Sequence, residues 1–314
     1  MNLDITQRPF IIFWELTRAC LLACKHCRAK AQKKRHPDEL TTQECFNIVD
    51  QLKEFGKPYP ILIITGGDPL LRDDLFEIIE YATNNEFRVA IAFSGTNLAT
   101  KSKLKKLKDA RISRIAISID GSNAEIHDNF RGIKGTFDLS LKILQDANEI
   151  GIPAQINTTV TNHNIDDLPN IMKLGVENEV LLWDVFFVVP TGRAKIDMMP
   201  TSQQFEDILN WLYDVNKKTP LNVKSSAATH LRRIELMRDK GGGLNVGDLY
   251  YRLIEKLDEM TDEMETEHQS KKIVAGGHGK SLTDGIRRMQ GITDGRGMFF
   301  ISHVGEVYPS GFLP

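Results

Sequence analysis

Six short apolar runs recur along the first two thirds of the chain: "FIIFWEL" (10–16), "PILIIT" (60–65), "RVAIAF" (88–93), "RIAISID" (114–120), "PAQINTTV" (153–160) and "VLLWDVFFVV" (180–189). They are rich in β-branched residues and close to continuously apolar, the pattern of parallel strands buried on both faces. Amphipathic helical segments lie between them. "TTQECFNIVDQLKEF" (41–55) offers Thr41 and Thr42 as caps, and "DDLFEIIEYAT" (73–83) begins at Asp73. "TFDLSLKILQDANEIG" (136–151) runs from near Thr136 to Gly151, and "DDLPNIMKLG" (166–175) from near Asp166 to Gly175. Roughly six βα units follow, so the fold class is α/β: a parallel sheet wrapped by right-handed crossovers. The pattern does not separate an open sheet from a barrel. In both, chemistry gathers at the C-terminal ends of the strands.

The rhythm lapses after about Lys224. A helical stretch "HLRRIELMRD" (230–239), a run of glycines at 241–243 and the acidic "DLYYRLIEKLDEMTDEMETEHQS" (248–270) follow. "VAGGHGK" (274–280) and "TDGRG" (293–297) read as loops, and "MFFISHVGEVYPSGFLP" (298–314) as two strands around Val304 and Gly305. The expected organisation is a core over 1–225, a helical or flexible linker or insert over 226–297, and a C-terminal β-hairpin over 298–314.

Composition narrows the function classes. The 314 residues are 41% hydrophobic with a net charge of −2, enough for a large core and without a global pull toward nucleic acid. No apolar run approaches the ~20 residues of a membrane span, and "MNLDITQRPF" lacks the form of a signal peptide. Four cysteines in a chain without a secretory signal point to a reducing, cytoplasmic setting and to metal or redox chemistry.

Three of those cysteines, Cys20, Cys24 and Cys27, stand in "CLLACKHC" (20–27), directly after the first strand. Two objects suit them. A zinc site wants a fourth ligand, which His26 would have to supply from a position adjacent to Cys27. A cubane iron–sulfur cluster normally takes four cysteines, so three would leave one iron open. Cys45 lies within a helical run between apolar neighbours and reads as a small buried hydrophobe. After the second strand comes "ITGGDPLLRDDL" (64–75), where Gly66 and Gly67 permit close backbone approach.

Together, "CLLACKHC" and "TGGDP" resemble the radical S-adenosylmethionine (radical SAM) superfamily, with Asp68 where the family usually has Glu. The resemblance implies a partial (β/α)6 TIM-like barrel with a short mixed C-terminal segment. It implies one [4Fe-4S] cluster on Cys20, Cys24 and Cys27, with S-adenosylmethionine on the open iron. Reductive cleavage of that cofactor yields a 5′-deoxyadenosyl radical. The implied cofactor contacts are Gly66, Gly67 and Asp68 at the methionine amino group and Ser118 and Arg131 at its carboxylate. Asn157 would meet the ribose, His26 the adenine, and Ser94 the adenosyl sulfur and substrate.

"VVPTGRA" (188–194) and "GEVYPSGFLP" (305–314) add a resemblance to the branch of alternative-haem and haem d1 biosynthesis enzymes and SPASM-type peptide-maturing enzymes. The implied substrate is a carboxylated tetrapyrrole, for which Arg193 is a basic candidate, or a peptide. Relatives in that branch often carry a cysteine after "YP"; here Ser310 stands there and no cysteine follows Cys45. The expectation is one cluster and a shortened or absent C-terminal extension, leaving a SPASM-like remnant. The basic run "RAKAQKKRH" (28–36) is the expected dock for a flavodoxin- or ferredoxin-type electron donor. The competing reading is a non-catalytic zinc or iron–sulfur scaffold or electron carrier.

Overall fold

The computed structural model describes residues 4–226, 228, 230–274 and 292–313. The six expected strands are present as β1 (Ile11–Glu15), β2 (Ile61–Thr65), β3 (Val89–Phe93), β4 (Arg114–Ser118), β5 (Ala154–Val160) and β6 (Leu182–Phe187). Each pairs in parallel with the next in chain order, and a seventh parallel strand, β7 (Val223–Ser226), follows β6. The architecture is thus a partial parallel barrel. After β8 (Thr293–Asp294), β9 (Gly297–Ile301) pairs in parallel with β1, and β10 (Val307–Tyr308) folds back on β9 in antiparallel register. The C-terminal hairpin therefore continues the main sheet rather than standing beside it.

The connecting helices are α1 (Thr42–Leu52), α2 (Leu75–Asn84), α3 (Lys101–Asp109), α4 (Ala124–Arg131), α5 (Thr136–Ile150), α6 (Leu168–Glu177), α7 (Ser202–Lys218), α8 (Leu231–Arg238) and α9 (Asp248–Val274). Thr41 caps α1 in a reciprocal box with Glu44, and Gly151 closes α5 in the left-handed region at φ 78°. Two expected boundaries shift. Helix α2 begins at Leu75 rather than Asp73, because Asp74 is drawn to Arg72 and Thr42 and makes no side-chain cap. Helix α6 runs past Gly175, which lies inside it, where an added Cβ would press on Leu221 at 3.2 Å. The loop expected at 274–280 lies, past Val274, outside the described residues. No described helix is long and apolar enough to cross a membrane.

The two faces of the sheet differ. Ile12, Trp14, Leu62, Ile64, Ile91, Ile115, Ile117 and Ile156 turn to the helices and are at most 1% exposed. Burying such side chains supplies roughly 1.5–3 kcal/mol each. Ile11, Phe13 and Ile63, on the inner face, are only partly covered. That face is lined at its centre by alanines, Ala90 and Ala92 on β3 and Ala116 on β4, which leave space between the strands.

Candidate active site

Contacts from three neighbouring segments shape the loop that follows β1. The turn after β2 donates from Gly67 N to Thr17 O and from Asp68 N to Ala19 O, both at 2.7 Å. Any Cβ on Gly66 or Gly67 would sit 2.5 or 2.2 Å from those same carbonyls, so the two glycines admit the chain's own cysteine loop. The last turn of α4, whose carbonyls lack helical partners, accepts from Ala23 N (3.2 Å, to Arg131 O) and Lys25 N (3.0 Å, to Phe130 O). After β6, Arg193 donates from its backbone to Cys27 O at 3.0 Å and from Nε to Cys24 O at 2.9 Å. Within the loop, Cys20 N and Gln32 O pair at 2.7 Å.

Each of the three sulfurs receives an N–H. Leu22 N lies 3.3 Å from Cys20 Sγ, Ala31 N 3.4 Å from Cys27 Sγ, and Arg131 Nη1 3.7 Å from Cys24 Sγ. Burial pushes the Cys20 thiol up to about 12 and raises Cys24 as well, the latter partly offset by the Arg131 charge. A bare thiolate is disfavoured there; a cationic iron cluster would reverse that cost. Among the described residues, no three Cys, His, Asp or Glu side chains converge on a point where a single ion would sit. Three thiols lining one cavity, each with an N–H at its sulfur, suit an iron–sulfur cluster.

That cavity, about 230 Å³, is lined by Cys20, Cys24, Cys27, His26, Gly66, Gly67, Ser94, Ser118, Arg131 and Asn157. Ten of the eleven residues singled out from sequence thus meet at one site. The eleventh, Asp68, turns away: its carboxylate accepts from Leu70 N at 3.1 Å and from Thr96 Oγ1 at 3.0 Å. Burial raises its pKa. Cys45 is fully buried in α1, apart from the cavity.

Charge at the site is fixed by a buried ion pair. Arg131 reaches Asp120, and Asp120 also accepts from Thr159 N at 2.7 Å. Burial alone would raise the Asp120 pKa, but Arg131 overrides it and the net shift is downward. His26 stacks on Phe130 with centroids 4.2 Å apart and rings within 6° of parallel. Its pKa falls to about 3, through burial first and the Arg131 charge second, so the ring is neutral. Three buried nitrogens at this cavity lack a hydrogen-bond partner: His26 Nδ1, Arg131 Nε and Arg193 Nη2. An orphaned buried polar atom is costly, and three at one cavity fit a polar, anionic ligand.

Several supports were not visible in the sequence. Gly192, at φ 66°, lies where a Cβ would meet Cys27 O and Arg28 O at 2.3 Å each. Buried Glu39 gathers Thr17 Oγ1 (2.6 Å), Arg18 N (3.1 Å) and Arg35 Nε (2.7 Å). Glu15 ties the loop to the C-terminal hairpin: it takes Arg28 Nη2 at 2.7 Å on one oxygen and faces His303 Nδ1 at 3.0 Å on the other. Arg193, the basic candidate for a substrate acid, lines the cavity and also clasps the cysteine loop.

A parallel half-barrel whose first loop gathers three thiols, two of them buried, beside a donor-rich cavity defines a cofactor-dependent α/β enzyme with its chemistry at the strand ends. The sequence model of the Radical SAM superfamily matches residues 14–175, and the chain belongs to that superfamily. Its cofactors are accordingly a [4Fe-4S] cluster and S-adenosylmethionine. The AdoMet-dependent heme synthase of Oleidesulfovibrio alaskensis is 38% identical over 305 residues, spanning 96% of this chain and 70% of its own. Mycofactocin maturase MftC of Mycolicibacterium smegmatis is 35% identical over 208 residues, 65% of this chain and 52% of its own. Among solved structures, Streptococcus suis SuiB bound to S-adenosylmethionine has a TM-score of 0.68 at 15% identity, a likeness of fold. It extends over 96% of this chain, which spans 60% of SuiB.

Proposed function

We propose that the chain is a radical SAM enzyme acting on a carboxylate-bearing tetrapyrrole, of the haem-forming kind. The observation that carries this reading is the reach of the likeness: it runs over 96% of the chain for the heme synthase and over 65% for the peptide maturase. The half-covered inner face agrees with it. Ile11, Phe13 and Ile63 offer apolar surface, the alanines of β3 and β4 leave room, and β4 to β7 supply a polar edge. A flat ring with an acidic periphery matches such a surface.

Cys20, Cys24 and Cys27 hold one cluster in these 314 residues, since Cys45 is the only other thiol and lies in the core. When bound, the cluster and S-adenosylmethionine supply a 5′-deoxyadenosyl radical for hydrogen abstraction. The chain's own part is placement. Ser118 and Asn157 face the cavity from adjoining strands; neutral His26 offers a flat apolar surface and a free Nδ1; the Arg131–Asp120 pair keeps a fixed positive charge against Cys24. Exposed Lys30, Lys33 and Lys34 beside the loop suit an acidic flavodoxin- or ferredoxin-type donor.

The test is anaerobic reconstitution with iron and sulfide, followed by dithionite, S-adenosylmethionine and iron coproporphyrin III. Formation of 5′-deoxyadenosine that rises with the porphyrin, with loss of CO2 from the macrocycle by mass spectrometry, is the expected result. Turnover indifferent to the porphyrin would sink the tetrapyrrole reading. Absence of 5′-deoxyadenosine altogether would return the chain to the scaffold or electron-carrier class.

A further inference from the structure

We propose that Lys224, on the inner face of edge strand β7, is the residue that takes a carboxylate of the substrate, held in place by Asp184 on β6. The inference rests on the tetrapyrrole reading and deepens it.

Strand register puts these residues in one row. Ser118 on β4 is level with Asn157 on β5, Asn157 with Asp184 on β6, and Asp184 with Lys224 on β7. Residues level across a parallel sheet share a face, and Ser118 and Asn157 line the cavity. Neighbouring strands lie about 4.8 Å apart, so Lys224 sits roughly 10 Å from Asn157 along the row. Among the described residues β7 ends the path of paired strands on this side, so Lys224 stands at an edge of the described half-barrel. Its side chain is 40% exposed, whereas that of Asp184 is 2% exposed.

The hydrogen bonding within the row is lopsided. Asp184 Oδ2 accepts from Lys224 Nζ at 2.7 Å, Ser226 Oγ at 3.1 Å and Gln155 Nε2 at 3.4 Å. Asp184 Oδ1 is buried and has no hydrogen-bond partner. Three donors thus converge on Oδ2 and hold Asp184, and through it Lys224 Nζ, in place. Meanwhile Gln155 Nε2 also donates to Asn157 Oδ1 at 2.5 Å, so the outer pair is wired to the cavity wall. An ammonium has three N–H groups and the contact with Asp184 uses one of them.

The other cations that line the cavity lie by the cysteine loop: Arg131 with Asp120 and Cys24, Arg28 with Glu15, and Arg193 with Cys24 O and Ala31 O, the unpartnered nitrogens of Arg131 and Arg193 facing the cofactor cavity. Lys224 instead faces that edge, opposite the apolar surface of Ile11, Phe13 and Ile63 across the alanine-lined middle. A macrocycle laid on that apolar surface would bring an acidic side chain to Lys224.

The test compares iron coproporphyrin III with its tetramethyl ester, dispersed in the same mild detergent, by Soret-band titration of the reconstituted enzyme with S-adenosylmethionine present. The unmodified enzyme is expected to prefer the acid. Lys224→Met should weaken acid binding by about 10-fold or more, the loss of one charge-assisted contact, and leave ester binding alone. Lys224→Arg should retain most of the preference. Cluster content and unfolding midpoint report whether the variant is folded; should Lys224→Met fail there, Lys224→Gln is read in its place. Acid preference that survives Lys224→Met, or no preference in the unmodified enzyme, overturns this assignment alone. Binding of neither porphyrin overturns the tetrapyrrole reading and this inference with it.

Discussion

Replacing Gly192 by alanine should empty the cysteine loop without unfolding the barrel. Gly192 has φ 66°, a region that costs an L-residue about 1–2 kcal/mol. Its new Cβ would also lie 2.3 Å from two carbonyl oxygens, those of Cys27 and Arg28. Relief requires the β6 loop to back away by roughly 1 Å, which sacrifices the Arg193 N to Cys27 O bond (3.0 Å) and strains the Arg193 Nε to Cys24 O bond (2.9 Å). Those contribute about 0.5–1.5 and 1.5–3 kcal/mol. Full loss of both would bring the local cost to about 3–6.5 kcal/mol, placed on the segment carrying Cys24 and Cys27. Gly135 provides the control: φ is 84° and no atom lies within 4 Å of its added Cβ, so Gly135→Ala pays the backbone term alone. Iron and sulfide per chain after reconstitution, with thermal unfolding alongside, separate the two. Gly135→Ala should bind iron like the unmodified chain, and Gly192→Ala should lose most of it. Equal cluster content in both variants would refute the argument that β6 clamps the loop.

Three further outcomes follow from the buried charges and thiols. His127 accepts from Asp120 N at 3.1 Å, and burial, then the Arg131 charge, lowers its pKa to about 4. The unfolded value is about 6.5, so its share of stability is full above that pH and falls by about 1.4 kcal/mol per unit below it. His127 and the likewise depressed His26 should each take about 2 kcal/mol from the urea unfolding free energy between pH 6.5 and 5, and His127→Gln should remove about half of that slope. Asp120→Asn and Arg131→Met should each cost about 3–5 kcal/mol, and the double variant less than their sum, in a denaturant double-mutant cycle. Cys24→Ala should abolish cluster binding while Cys45→Ala leaves iron content intact, as read by iron assay and the visible spectrum.

The sheet was readable wherever a strand puts several apolar residues against the helices. β2 and β6 do so, and β7 does not: in "VKSS" Val223 is the one apolar residue turned to the core, and Lys224 and Ser226 line the inner face. Helix α3, "KSKLKKLKD", escaped notice for a like reason, since it buries only Leu104 and Leu107. The hairpin at the C-terminal end was legible as a hairpin because its alternation and turn are local. Its parallel pairing with β1 was not, because that contact joins opposite ends of the chain. At the site, the thiols and glycines stood out through tight spacing and the rarity of cysteine. Gly192 and Glu39 carry no such mark; each matters because the fold brings it to the loop.

The same distinction explains why the loop can hold a cofactor. Its shape is set mainly through the backbone: carbonyls of Thr17, Ala19, Cys24 and Cys27 accept from outside, and amides of Ala23 and Lys25 donate to α4. Cysteine side chains therefore need not shape the loop, and each sulfur meets a single N–H. Hydrogen bonds to cluster sulfurs are among the levers that set a reduction potential. Two of these donors are backbone amides, fixed by the fold. The third is the Arg131 guanidinium, which is charged and set by Asp120. Changes at that pair should therefore act on the cluster's redox behaviour as well as on stability, while the amide donors stay fixed under side-chain substitution. On the proposed reading, in which a cluster held here passes one electron to its cofactor, that arrangement is an advantage: a rigid backbone cradle fixes position, and a single side-chain pair is left to adjust charge.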